Sequence, residues 1–125
     1  MFLLPIYLQV NGFPVQELAC EVLEKIIDKK TSIAIWGPVG AGKTVLLEKL
    51  ALHLKLKGCR LVRFDFGELT LDEGEKPDYI VADHLASFRA LEAIKRNYPL
   101  VPVIAVMYEQ PQSGFGAVVK VQPQL

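Results

Sequence analysis

Cysteine is almost missing from this chain: Cys20 and Cys59 are the only two in 125 residues. They offer neither the paired spacing of a zinc site nor a disulfide framework, and both read as small apolar residues in periodic or strand-edge positions. That usage suits a reducing, cytoplasmic setting. Excess charge of either sign is missing too. Fourteen basic and fourteen acidic residues leave a formal net charge of zero, so no broad footprint for a nucleic-acid backbone exists. Only a local basic patch would serve such a partner. Long hydrophobic runs are also lacking. The apolar stretch Phe2 to Leu8 is too short to span a bilayer, and it has no basic start or small-residue cleavage site. It reads as an extra strand or a docking segment, with no membrane partner. Internal repeats and low-complexity tracts do not occur.

What is there is apolar and periodic. A chain of this length that is 51% apolar can bury one sizeable core. We therefore expect a single domain over 1–125, with an N-terminal extension at 1–13 and a core at 14–122. After Pro14, helical spacing puts Leu18, Val22 and Ile26 on one stripe, with Ala19, Leu23 and Ile27 beside it. Lys29 and Lys30 close that helix where cations suit its dipole. A β-type run covers Ser32 to Trp36. A second helix over Val45 to Leu56 turns Leu46, Leu47, Leu50 and Leu54 inward and leaves Lys49, His53 and Lys57 wet, with Gly58 as its stop. Strands follow at Arg60 to Phe66 and Tyr79 to Asp83. Between them, 67–78 reads as a stripped-down crossover with at most one turn at Leu69 to Leu71. A third helix spans about Leu85 to Asn97 and ends before Pro99. An almost wholly apolar strand at Val101 to Met107 and a last β run at Phe115 to Val121 complete the pattern. Strands alternating with helices predict a three-layer α/β domain with a mainly parallel sheet of about five strands.

Between the first core strand and its helix stands Gly37-Pro38-Val39-Gly40-Ala41-Gly42-Lys43-Thr44, a complete G-x-x-x-x-G-K-[ST] string. In that strand–loop–helix setting the glycines let backbone N–H groups point at phosphate oxygens. The helix opening at Val45 adds its positive end. Lys43 would reach the β- and γ-phosphates, and the Thr44 hydroxyl would hold magnesium. Ligands of such sheets lie beyond the carboxyl ends of the strands, where Asp65, Asp83 and the 108–110 segment also fall. Asp83 ends an apolar strand and suits a carboxylate that accepts a magnesium-bound water. Asp65 leads as the group that orients an attacking water, with Glu68 and Glu109 behind it. Each of these acids has a plainer reading as a loop cap or surface residue. Trp36 is expected to pack under the loop. Arg96 pairs with Glu92 at i,i+4 spacing, and Arg89 reads as a solvated surface residue. No N-K-x-D guanine motif occurs, so ATP is favoured over GTP by default.

Pro77 to Arg89, which contains Tyr79-Ile80-Val81-Ala82-Asp83, resembles the Walker B strand and following helix of RecA, RadA and KaiC-type ATPases. The resemblance implies a P-loop NTPase sandwich, with Asp65 as the catalytic acid and Gln110 or Tyr108 sensing the γ-phosphate. It also likens Val118 to Val121 to a late hairpin strand, whose Lys120 would reach a neighbouring subunit's phosphates. His84 stands where AAA+ ATPases place a catalytic Glu. The function expected is magnesium-dependent ATP binding and hydrolysis in a homo-oligomer or larger assembly. The alternatives are a small-molecule kinase and a nucleotide-binding regulatory module without turnover. The kinase is disfavoured because 67–78 holds no arginine for a phosphate lid.

Overall fold

The computed structural model describes residues 6–11, 17–38, 40–65, 68–70, 77–83, 88–111 and 114–122. Its elements in chain order are β1 (Ile6–Asn11), α1 (Glu17–Asp28), β2 (Ile33–Trp36), α2 (Lys43–Leu56), β3 (Leu61–Asp65), β4 (Glu68–Thr70), β5 (Tyr79–Asp83), α3 (Phe88–Asn97), β6 (Val103–Met107) and β7 (Ala117–Gln122). The seven strands form one sheet in the order β1-β7-β2-β6-β5-β3-β4. Every neighbouring pair is parallel except β3–β4. The α/β class with a mainly parallel sheet is therefore present, with seven strands where about five were expected.

The two additional strands lie at the two edges. At one edge the N-terminal run supplies β1, which pairs with β7 along its whole length, from Ile6 opposite Ala117 to Asn11 opposite Gln122. At the other edge the expected one-turn crossover is corrected. Glu68–Thr70 is a strand that folds back on β3, with Glu68 opposite Asp65 and Thr70 opposite Arg63. An antiparallel partner needs only a two-residue connection, whereas an isolated helical turn carries an unfavourable nucleation step for a single hydrogen bond. Residues 71–76 of that segment lie outside the described residues.

Alternation along the strands sends side chains into two cores. On one face Ile33, Ile35, Tyr79, Val81, Ile104, Val106, Ala117 and Val119 pack with α1 and α2. On the other, Ala34, Val62, Ile80, Ala82, Val103, Ala105 and Val118 pack with Leu91 and Ile94 of α3. Coverage on both faces explains why β6 reads as an unbroken apolar run. The inward row of α2 is as its spacing predicts: Leu46, Leu47, Leu50 and Leu54 are fully buried. In α1 the buried stripe is Leu23 and Ile27, while Val22 is 41% exposed. Both rows are apolar, so only packing against α2 selects between them.

The α1–α2 contact is closed by a polar cluster. His53 Nε2 lies 3.1 Å from Asp28 Oδ1, its Nδ1 lies 3.6 Å from Glu24, and Lys57 Nζ lies 2.5 Å from Asp28 Oδ2. His53 therefore bridges helices instead of standing in water. The Lys57 hydrogen bond, with His53 adding to it, holds the Asp28 carboxyl below its usual range against the opposing effect of burial. A depressed carboxyl stabilises the fold above its unfolded pKa of about 3.9, and that contribution disappears as pH falls through the folded value. Asp28→Asn should cost on the order of 1 kcal/mol or less at pH 7, because the cluster is partly exposed. It should also flatten the loss of stability below pH 4 in acid denaturation. An unchanged acid limb would show that the pair carries no weight.

Candidate functional site

The carboxyl ends of β2, β6, β5 and β3 lie side by side, because Trp36 pairs with Met107 and Asp65 with Asp83. The loop between β2 and α2 rises from this edge. It leaves β2 through Gly37, whose position allows no side chain: a Cβ there would overlap the backbone carbonyl oxygen of Val121 in β7. Ala41, 2% exposed, anchors the loop in the α2-side core and donates its N–H to the Pro38 carbonyl at 3.3 Å. Gly42 stands at the N-cap with φ 98°, a left-handed conformation that glycine adopts without Cβ strain. No side chain caps α2 and its first turn holds no acid. The positive end of that turn thus faces the loop with no side-chain cap and no acid of its own. Val39 lies outside the described residues. Gly40 and Pro38 are exposed, and so is the Val45 side chain.

Lys43 is the one buried charged residue among those described, at 6% exposure. Its Nζ donates to the Gly37 carbonyl oxygen at 2.5 Å and lies 4.1 Å from the centroid of the Tyr108 ring. Burial lowers its pKa, and the Asp83 carboxylate pulls it part of the way back. Thr44 follows, exposed, with Oγ1 3.4 Å from both Asp83 Oδ1 and Oδ2. The structure thus brings together Lys43, Thr44 and Asp83, residues separated by about forty positions in sequence. Hydroxyl and carboxylate oxygens are hard donors of the kind magnesium takes. Among the described residues no group of three or more His, Cys, Asp or Glu could hold a metal. Any magnesium here would therefore need phosphate oxygens and waters to complete its shell.

The remaining candidates divide. Asp65 is the register partner of Asp83 at the end of β3, so its backbone is next to the site. Gln110 is exposed three positions beyond the end of β6. It is Tyr108, directly after β6, that contacts Lys43. The signal for this in the sequence is an aromatic at the carboxyl end of a central strand, two residues before the Gln110 amide. Glu109 is exposed, and His84 lies outside the described residues. Trp36 does not pack under the loop. It is half-buried against the α3-side core, with Lys120 Nζ 5.1 Å from its ring centroid.

Neither a model of a known protein family nor a curated protein matches the sequence. The fold is similar to a chain of the E. coli MS115-1 HORMA:CdnC:Trip13 complex, with a TM-score of 0.53 at 12% identity. The match covers 85% of this chain and 59% of that one, so this chain spans somewhat more than half the length of its structural neighbour. At such identity the likeness concerns the fold alone. It overturns the resemblance to RecA, RadA and KaiC-type ATPases, since the fold matches a chain of that complex instead. The geometry gives a physical reason. The specific part of the resemblance was two short phosphate-site strings, and apolar strand–helix alternation is common to parallel α/β domains at large. Moreover, β7 is no late hairpin strand. It lies inside the sheet, parallel to both β1 and β2, and Lys120 is engaged by its own Trp36.

Proposed function

We propose that the chain binds a nucleoside triphosphate with magnesium at the 37–45 loop and hydrolyses it, ATP being the default nucleotide. The observation that carries this reading is the Lys43, Thr44 and Asp83 cluster at the mouth of a glycine-turned loop, beside an uncapped helix start. In it the loop amides and the α2 N-terminus hold phosphate oxygens, and the Lys43 ammonium offsets charge on the outer phosphates. Thr44 and Asp83 hold the magnesium, which supplies charge neutralisation when bound. Asp65 is the group assigned to orient the attacking water, from the strand end beside Asp83.

A subunit alone should turn over slowly, because a cation supplied in trans can be worth ~10³ or more in rate. We assign the working form to an assembly, either of identical copies or with other proteins; the structural neighbour comes from a multi-protein complex. No described helix is long and apolar enough to cross a membrane.

The deciding experiment measures phosphate release against protein concentration with magnesium and ATP. A rate per subunit that climbs with concentration supports hydrolysis in an assembly. Binding of a non-hydrolysable analogue with no release at any concentration would replace hydrolysis with a regulatory module. No binding at all ends the reading. Asp83→Asn should raise the magnesium concentration needed for half-maximal binding about tenfold, as loss of a supporting carboxylate does elsewhere. An unaltered magnesium dependence would remove Asp83 from the metal site.

A further inference from the structure

We propose that the outward face of α2 is a self-association surface, on which two copies of this chain pair their α2 helices antiparallel about a twofold axis. The inference names identical copies as the partner in the assembly assigned above. It needs nothing bound at the phosphate loop, so a failure of nucleotide binding leaves it standing.

The helix is apolar on two opposite sides. Its fully buried row of Leu46, Leu47, Leu50 and Leu54 belongs to the core. Val45, Leu52 and Leu56 are 37%, 56% and 80% exposed. At about 100° per residue these three fall within about 40° of one another, on the side away from the buried row. Lys49 fills the gap between Val45 and Leu52, and it too is exposed. The water-facing side of a surface helix is ordinarily polar, as in α3, which turns Arg89, Glu92 and Arg96 to solvent. The α2 row instead follows steps of four, three and four residues, the spacing by which two helices pack along each other.

Charge selects a second copy as the occupant, and it selects the direction. Beside the row stand Glu48 and Lys55, both exposed. When one α2 lies antiparallel on another, Leu52 comes over Lys49 of the other copy and Leu56 over its Val45. Glu48 of each copy then stands opposite Lys55 of the other, twice by symmetry, so the face is complementary to itself. A parallel pair would set Lys49 against Lys49. The antiparallel pair lays the Lys49 stem along Leu52 with its ammonium in water. Arg63 donates two hydrogen bonds of 2.8 Å to Glu48, and they hold its carboxyl below the usual range. The carboxylate is thereby ionised and fixed in place, and an ionised carboxylate can accept about four hydrogen bonds. One helix pair buries less than the roughly 1,200 Å² of a stable interface, so the contact should be weak, with a Kd on the order of 100 µM.

Sedimentation equilibrium of the whole chain without nucleotide, up to about 1 mM, tests the pairing. The wild type should pass from monomer to dimer within that range. Leu52→Lys sets an ammonium against Lys49 of the other copy and should raise Kd tenfold or more, with an unchanged melting temperature because the position is exposed. Lys55→Glu and Glu48→Lys each create like-charge pairs and should each raise Kd about tenfold. An equimolar mixture of those two variants restores both opposite-charge pairs and should dimerise within about threefold of the wild type. Should Glu48→Lys fail to fold after losing Arg63, then Leu52→Lys and Lys55→Glu, which keep that pair, decide the matter. A wild type that stays monomeric throughout overturns the pairing and leaves the row to a different protein. A dimer indifferent to Leu52→Lys places the contact elsewhere and overturns it as well. A mixture no tighter than its separate components overturns the antiparallel arrangement.

Discussion

Lys43→Met should abolish nucleoside-triphosphate binding while leaving the fold as stable as before, or more so. The lysine is 6% exposed, and what offsets its buried charge is one carbonyl, one ring and the nearby Asp83 carboxylate. Burying a charge with so few partners costs free energy that an apolar side chain of similar length avoids. Methionine fills the same space without that cost. Binding is affected in the opposite direction. Hydrogen bonds from a charged donor are worth about 1.5–3 kcal/mol each, so losing two to phosphate oxygens weakens affinity by ~10²-fold or more. Calorimetry with a non-hydrolysable ATP analogue gives the first quantity, and thermal melting in its absence gives the second. Wild-type affinity in the variant would place phosphate away from Lys43. A melting temperature lowered by several degrees would show that the charge holds the loop together instead of straining it.

The other large effect is expected at Gly37. Gly37→Ala places a methyl group on the Val121 carbonyl oxygen, which belongs to a strand hydrogen-bonded on both sides. Backbone cannot rotate away as a side chain can, so β2 and β7 must separate locally or the loop must leave its path. Either response should destabilise the protein by about 3 kcal/mol or more, the range reached by steric and backbone faults in a packed interior. Gly40→Ala is the comparison. That position has open space around it and a left-handed φ of 80°, so only the Cβ strain of about 1–2 kcal/mol applies. Urea denaturation of both variants measures the difference. Equal losses would mean that the approach to Val121 does not constrain the loop.

Much of the arrangement is legible in the amino-acid sequence, and the exceptions share a cause. The α2 row of Leu46, Leu47, Leu50 and Leu54 follows from the period of a helix, and the loop from its glycines and flanking elements. In α1 the two neighbouring rows are equally apolar, and contact with α2 chooses Leu23 and Ile27 over Val22. Glu68 to Thr70 carries too little pattern to separate a helical turn from a strand, and a free edge on β3 decides it. Tyr108 cannot be paired with Lys43 from sequence, because their contact depends on β6 lying next to β2. The family resemblance goes further than its residues allow, extending two short strings to a whole architecture.

Local matters are written into the residues alone: which segments are strands or helices, where the chain must turn through glycine, and which side chains offer phosphate and metal chemistry. Periodicity and backbone sterics act over a few residues, so neighbours in the string suffice to set them. The order of strands, the burial of Lys43, the meeting of Thr44 with Asp83 and the enclosure of β7 between β1 and β2 come from the folded molecule. Those depend on which distant apolar faces and unpaired backbone edges find one another, a choice made by the chain as a whole.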